Sequence, residues 1–156
     1  MKLMNGTITK NKSAFTLVET LIVLVLVCSF VLLPTIAIRK WHQQLEKKFF
    51  YYQFEKSVLH LQQVAIADHL GTQINLYNGL QLIDFYTSHT KLPWRKLEVP
   101  ESIKLNSGYS IDFKPGSGNV STTQPGNGNI PKVIFEDEGQ TIVYQFQIGS
   151  GRFERK

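Results

Sequence analysis

Residues 10–20 read KNKSAFTLVET, and a predominantly apolar tract follows them directly, from Leu21 to Ile38. As a helix rising about 1.5 Å per residue, residues 15–38 would extend about 36 Å, more than the ~30 Å hydrocarbon core of a bilayer. The stretch therefore predicts a transmembrane helix over residues 15–38. Pro34 has no N–H to donate to the carbonyl of Phe30, so it is either a tolerated membrane proline or a weak point where the helix extends under load.

Residues 1–14 form a polar, basic leader that has no apolar run of its own. A secretory signal peptide places its apolar region before the cleavage site, whereas here the small residues, ending at Ala14, come first. Cleavage between Ala14 and Phe15 would therefore leave the apolar helix on the mature chain. The leader lysines predict a cytoplasmic N-terminus and an external C-terminal domain in the cell membrane, and Arg39 and Lys40 act against this orientation.

Glu19 is the one acidic residue within residues 15–38, where an ionised carboxylate in lipid is costly. With Thr16 as the N-cap, Glu19 fits a capping box and satisfies a free N–H at the positive end of the helix dipole. A second interpretation adds a partner, because cleavage before Phe15 creates an α-amine. A neighbouring subunit would offer this amine to Glu19 only when the subunits are staggered, so Glu19 would select the correct assembly.

Residues 39–71 are predicted to continue the helix outside the membrane, because good helix formers fill them and Gly71 follows as a C-cap. We expect one helix from Phe15 to Leu70. Two apolar stripes lie on roughly opposite sides of its second half. The stripe expected to pack on the chain's own domain consists of Phe54, Val58, Leu61 and Ala65. The stripe expected to need neighbouring subunits, unless one large core buries both, consists of Leu45, Phe49, Tyr52, Leu59 and Ile66.

Residues 72–156 change to strand-like periodicity and form a predicted β-rich head. Its predicted elements are a hairpin of residues 73–77 and 80–86 around Asn78-Gly79, an irregular segment at 91–101, a strand at 109–113, a long mobile loop at 115–131, and a hairpin of residues 132–136 and 140–148. The turn Asn78-Gly79 is a strong hairpin signal. The predicted fold class is α+β, with a long N-terminal helix packed on a small antiparallel β-sheet.

Charge and cysteine content limit the functional classes. The formal net charge is +5, but several lysines belong to the leader, and basic and acidic residues nearly balance after Thr72. A broad basic surface for nucleic acid is therefore not expected. The single cysteine, Cys28, lies in the apolar tract and has no intrachain partner; packing is its expected role, and a crosslink between subunits is the alternative.

The sequence predicts no enzyme, no cofactor and no metal site. It contains neither a defensible Ser/His/Asp arrangement nor a phosphate-binding glycine loop before a helix. The acidic turn at residues 136–138 is expected to be solvated, with a calcium ion as the alternative. No ligand spacing relates the four histidines, which are His42, His60, His69 and His89.

The stretch from Lys12 through the start of the apolar tract resembles the class III signal of type IV pilins and pseudopilins. The resemblance implies that a prepilin peptidase cuts between Ala14 and Phe15 and N-methylates Phe15. It also places the family's assembly acid at Glu19. Ala14 stands where the family usually has glycine, and the family's helix-weakening proline lies two residues later than Pro34.

The C-terminal stretch 144–152, the size of the chain and the absence of cysteine from the head resemble the ComGD-type minor pseudopilins of Gram-positive competence systems. This resemblance implies a minor subunit of a competence pilus that supports DNA uptake in transformation. Its implied partners are the prepilin peptidase, other competence pilins and pseudopilins, and, indirectly, the pilus assembly ATPase and membrane platform protein.

Three alternatives remain from the sequence. The first is a pseudopilin of a type II-like protein secretion machine, which obeys the same physics. The second is an anchored protein that keeps its leader. The third is a pilin that contacts DNA weakly at a pilus tip, through aromatic and basic side chains of the head. The residues for that contact are Lys91, Trp94, Arg95, Lys96, Lys104 and Tyr109.

Overall fold

The computed structural model describes residues 16–88, 94–123 and 130–156, without the side chains of residues 33–37. The chain divides into two compact units, Met1–Trp41 and His42–Lys156. One helix, α1 (Leu17–Ala67), contributes residues to both units. The second unit adds antiparallel β-sheets, so the predicted α+β fold class is confirmed.

The strands of the described residues form two antiparallel sheets rather than the single small sheet expected from the sequence. They are β1 (Thr72–Tyr77), β2 (Leu82–Thr87), β3 (Lys96–Glu98), β4 (Ile103–Leu105), β5 (Ser110–Phe113), β6 (Val120–Thr122), β7 (Lys132–Asp137), β8 (Gln140–Phe146) and β9 (Phe153–Arg155). A five-stranded sheet has the order β3-β2-β1-β5-β6, and a four-stranded sheet has the order β4-β7-β8-β9. Each sheet is built around a predicted hairpin, β1–β2 in the first and β7–β8 in the second.

The inner face of α1 lies in the core of the second unit, as the first apolar stripe predicts. Phe54 is fully buried, and its ring centroid lies 5.4 Å from that of Phe135 and 5.1 Å from that of Tyr144. Phe85 of the five-stranded sheet contacts Phe54 from the other side at 6.4 Å. Buried alongside Phe54 on α1 are Phe50, Tyr51, Val58, Leu61 and Ala65.

The second apolar stripe of α1 is exposed. Its most exposed members, Phe49 and Tyr52, retain 63% and 60% of their accessible surface. The alternative of one core that buries both stripes is therefore wrong. Leu45, Leu59 and Ile66 are exposed on the same helix.

The end of α1 differs from the expected glycine cap. The helix ends at Ala67, and His69, with φ = 55°, adopts the left-handed conformation instead of Gly71. Of the carbonyls in the last turn, Ala65 O accepts from Gly116 N of the head at 2.7 Å; one turn earlier, Thr72 Oγ1 donates to Leu61 O at 3.0 Å. Because the helix ends four residues before Gly71 and the left-handed residue is His69, Gly71 as the C-cap is wrong.

The first predicted hairpin forms, but its turn is longer than Asn78-Gly79 and its register is shifted accordingly. Tyr77 pairs with Leu82, so four residues connect the strands, and Gln81 has φ = 49°. The Gln81 side chain explains this geometry: its Oε1 accepts from Leu105 N at 2.7 Å, and its Nε2 donates to Leu105 O at 3.2 Å. The amide thus binds the edge of the other sheet, an interaction that a two-residue turn would not provide.

Short strands occupy segments for which the sequence predicts irregular structure. β3 lies within residues 91–101 and pairs with β2, and β6 lies within residues 115–131 and pairs with β5. The loop predictions are therefore wrong at these strands, while residues 124–129 lie outside the described residues. β9 was not predicted, and β8 ends at Phe146, which leaves Ile148 exposed beyond the strand.

The loop between β8 and β9 is attached to α1 by a hydrogen bond and packs closely against the loop between β5 and β6. Gln62 Nε2 donates to Ser150 O at 2.7 Å, and the neighbouring Gly151 is buried with φ = 65°. A Cβ at Gly151 would collide with the carbonyl oxygen of Gly118. This close backbone approach and the positive φ both require glycine at position 151.

Replacing the central aromatic side chain of the core tests this arrangement. Phe54→Ala leaves a cavity between the two sheets, so we expect the free energy of unfolding of the full-length chain in detergent to fall by about 3–5 kcal/mol. The matched control is Phe49→Ala, which removes the same side chain from the exposed face and should change stability by less than about 0.5 kcal/mol. Equal losses for the two variants, measured by denaturant unfolding, would contradict the assigned inner face.

Candidate functional site

The N-terminus of α1 carries the predicted N-cap, but the predicted capping box is incomplete, because the Glu19 carboxylate accepts no N–H of the described residues. Glu19 N donates to Thr16 Oγ1 at 3.3 Å, and Thr20 N donates to Thr16 O at 3.1 Å. Thr16 therefore acts as the N-cap. The Glu19 carboxylate is exposed and has no hydrogen-bond or ion-pair partner among residues 16–88, 94–123 and 130–156. It is available to a cation from outside the described part of the chain.

The side chains that follow Glu19 form an exposed apolar surface on α1. The large apolar residues from Leu17 to Leu32 keep between 49% and 81% of their surface accessible. The hydroxyl groups among them are turned back to the helix: Thr20 Oγ1 donates to Leu17 O and Ser29 Oγ donates to Val25 O, each at 2.8 Å. Cys28 is a free, exposed thiol on this segment. The surface thus offers apolar contacts with few unpaired polar groups.

The remaining predicted N-terminal sites are only partly described. Ala14 and Phe15 lie outside the described residues, so the cleavage and methylation sites have no structural description. Pro34 lies within α1, but its side chain is outside the described set.

Within the described residues, none of the helical structure is both long and apolar enough to cross a membrane.

In the second unit, an ion cluster joins α1 to the turn between β7 and β8. Lys47 Nζ lies 2.5 Å from Asp137 Oδ1 and 2.7 Å from Glu138 Oε1. Lys47 and Asp137 keep only 12% and 17% of their side-chain surface exposed, so this pair is better shielded than an ordinary surface pair. The hydrogen bond that Lys47 donates to Asp137 raises the pKa of Lys47. The expectation that the acidic turn is merely solvated is therefore wrong at Asp137.

Beside this cluster, a surface groove of about 570 Å³ is lined by the phenol Tyr51, and the buried ring of Tyr144 stacks on Tyr51 with 6.4 Å between centroids. Tyr144 Oη donates to Glu55 Oε1 at 2.7 Å, and the Arg155 guanidinium lies 4.6 Å from the centroid of the Tyr51 ring. Burial raises the pKa of both phenols, and the hydrogen bond to Glu55 adds to the effect at Tyr144. This network orients the middle of α1 on the four-stranded sheet.

The structure does not assemble the aromatic and basic residues of the head into the expected DNA contact. Trp94 is half-buried against Phe85, with 6.2 Å between ring centroids, and Tyr109 packs against the core. Arg95 is engaged by Asp84, with Nε 2.8 Å from Oδ1, and this hydrogen bond raises its pKa. Lys96 and Lys104 are exposed but lie on different sheets, in β3 and β4, and Lys91 is outside the described residues.

The described part of the chain offers no group of three or more His, Cys, Asp or Glu side chains that could hold a metal ion. Of the four histidines, His42, His60 and His69 are exposed, and His89 lies outside the described residues. The Lys47 cluster, the Tyr144–Glu55 bond and Arg155 were missed by sequence reasoning because residues about 90 positions apart form them.

Among known proteins, the chain is similar to the competence protein ComGD of Streptococcus pneumoniae. The two are 30% identical over 147 residues, which cover 91% of this chain and 78% of the relative. No protein-family model matches the chain, and no solved structure matches it.

The two shielded phenols predict a distinctive alkaline titration. Because burial favours the neutral phenol, Tyr51 and Tyr144 stabilise the fold fully below the unfolded pKa of about 10, and this stabilisation is lost as the pH rises through their raised pKa values. In a tyrosinate absorbance titration, we expect Tyr51 and Tyr144 to ionise only as the head unfolds. Tyr144→Phe should remove part of this late phase. Ionisation of every tyrosine near pH 10 with the fold intact would contradict the shielding.

Proposed function

The chain belongs to the family of the competence protein ComGD, and we propose that it is a minor pilin-like subunit of a competence pilus that supports DNA uptake. The proposal is structural rather than enzymatic: the chain is held at the cell membrane and then packed into a filament at the cell surface. It is supported by the family relationship and by an exposed apolar helix whose first turn carries an acid without a partner in the described residues.

The apolar surface of α1 is the feature that requires a non-aqueous environment. Its side chains are exposed from Leu17 to Leu32, and the sequence remains predominantly apolar to Ile38. Burying such a surface is favourable by roughly 25 cal/mol per Å², either in lipid or against the helices of other subunits. We propose that residues 15–38 lie in the membrane with the N-terminus cytoplasmic before they pack in the filament, where Pro34 would be a weak point of the helix.

Processing creates the cation that would pair with Glu19 of a neighbouring subunit. In the proposed pathway a prepilin peptidase removes residues 1–14 by cleavage between Ala14 and Phe15, and Phe15 becomes N-methylated. The new α-amine remains a cation after methylation. The pilus assembly ATPase and the membrane platform protein would act on the chain indirectly, by driving its extraction from the membrane.

Glu19 provides the matching anion. Its position three residues after the N-cap leaves its carboxylate exposed, while its backbone N–H is already used by Thr16. An unpaired carboxylate in lipid costs about 2.5–3.5 kcal/mol at a helix centre and less near an end, so pairing with the Phe15 amine of a staggered neighbour relieves a penalty. We propose that this relief selects correctly staggered subunits.

The first test is the mature N-terminus. Intact mass and N-terminal sequencing of the full-length protein, recovered from competent cells with and without prepilin peptidase, should give a species that begins at N-methylated Phe15 only when the peptidase is present. The same measurements on Phe15→Ala show whether cleavage after Ala14 depends on the phenylalanine side chain. A chain that still begins at Met1 in cells with the peptidase would refute the proposed maturation.

The second test is the charge at Glu19. Glu19→Ala removes the carboxylate and so deletes a charged contact worth about 1.5–3 kcal/mol. We therefore expect sheared pili to contain about ten- to a hundredfold less of the chain, and the transformation frequency to fall to match. Glu46→Ala is the matched control, because Glu46 is exposed on the same helix but lies outside the apolar tract. Normal pilus incorporation of Glu19→Ala would contradict the role of this carboxylate.

A further inference from the structure

One exposed face of α1 in the second unit combines aromatic and basic side chains. Leu45, Lys48, Phe49, Tyr52 and Lys56 are all exposed and fall within an arc of about 100° of the helix. We call these five residues the basic–aromatic ridge. Their spacing of three and four residues is that of a helix face that packs against another helix.

The charges on this ridge are uncompensated. Lys48 and Lys56 have no ion-pair partner within the described part of the chain; the Lys56 ammonium instead lies 5.5 Å from the centroid of the Tyr52 ring. The nearby acids are engaged elsewhere or face away: Asp137 and Glu138, which line a groove with Lys48, pair with Lys47. Glu55, at the border of the ridge, accepts a hydrogen bond from Tyr144, and Glu46 lies about 120° around the helix from Tyr52.

A groove beside the ridge adds shape to this charge pattern. It has a volume of about 330 Å³ and is lined by Phe49, Tyr52, Lys56, His60 and Trp94, together with Gln53 and Ser57. Its far wall is fixed, because Trp94 packs edge-on against His60 at 5.0 Å and against Phe85 at 6.2 Å. A hole next to a helical ridge receives apolar side chains from a facing helix in knobs-into-holes packing.

From this charge and shape we propose that the basic–aromatic ridge docks an acidic amphipathic helix of a different pilin-like subunit. The occupant would place an apolar side chain in the groove beside Trp94 and carboxylates opposite Lys48 and Lys56. The inference rests on the proposed function, since it assumes that the chain assembles with other subunits of one pilus, and it specifies the chemistry by which one of them is selected.

Two other occupants fit the ridge less well. In a second copy of the chain packed through the same face, Lys48 and Lys56 would approach like charges across an apolar contact, which is a repulsive arrangement. A nucleic acid strand needs open aromatic faces and several cations. Here Trp94 is held by its neighbours, and of the two ridge lysines only Lys56 lines the groove.

Site-specific photo-crosslinking in competent cells tests the occupant. The probe is p-benzoylphenylalanine in place of Tyr52 in the full-length chain, and the adduct is identified by mass and by peptide mapping. We expect an adduct with another pilin-like subunit of the pilus, at a helical site flanked by Asp or Glu. K48E/K56E should lower the adduct yield at least about tenfold, equivalent to about 1.4 kcal/mol.

Two variants make the charge requirement specific. K114E/K132E changes the net charge by the same amount at exposed lysines of the head whose side chains have no partner in the described residues, and it should leave the yield unchanged. Replacing the mapped partner acids by lysine in the K48E/K56E background should restore the adduct. A loss that K114E/K132E reproduces, or that the partner reversal does not repair, would overturn the proposal.

The remaining outcomes of the crosslinking experiment also test the proposal. An adduct with a second copy of this chain, an adduct with nucleic acid, or no adduct in cells that process the chain and incorporate it into pili would each overturn the ridge proposal while leaving the proposed function intact. Failure of processing and of incorporation in the unsubstituted chain would instead overturn the proposed function. N-terminal sequencing and pilus fractionation of the same cells separate these two failures.

Discussion

The packing of Phe54 between the two sheets is the contact on which the rest of the second unit depends. This one helix residue touches Phe135 and Tyr144 of the four-stranded sheet and Phe85 of the five-stranded sheet. Neither sheet has another helix of the described chain to cover its apolar face, so α1 completes the core of both. Once the inner face of the helix is committed in this way, its outer face can be buried only by something outside the described chain.

Polar contacts fix the rotation of α1 about its own axis on that core. Apolar contacts alone would specify this rotation less sharply. Lys47 pairs with Asp137 near one end of the packed segment, Glu55 accepts from Tyr144 in the middle, and Gln62 donates to Ser150 near the other end. Each of these helix residues contacts the four-stranded sheet or its connections. Because these contacts fix one flank of α1, the ridge residues next to that flank are held facing outward.

The sequence predicted the features that depend on local periodicity. The buried stripe from Phe54 to Ala65, the exposed stripe and the two hairpins all follow from helix and strand periods, and the resemblance to ComGD-type proteins is confirmed by the family relationship. Contacts set by the tertiary fold could not be predicted from local periodicity: α1 ends at Ala67, where Gly116 of the head binds the carbonyl of Ala65, and the turn of the first hairpin is longer because the Gln81 amide reaches the other sheet. The short strands β3, β6 and β9 form where longer neighbours provide pairing, without a periodic signal of their own.

The composition of α1 also explains where specificity must reside. Between Leu17 and Leu32 the helix presents apolar side chains whose contacts are strong but non-directional, and Glu19 is the one charged group among them. Such a surface favours burial without distinguishing one apolar helix from another. Charge and shape are combined in the part of α1 that lies in the second unit, where the head occupies one face and leaves Lys48, Tyr52 and Lys56 exposed. Under the proposed function, affinity for the filament would therefore come from the first segment, and the choice of neighbour from the second.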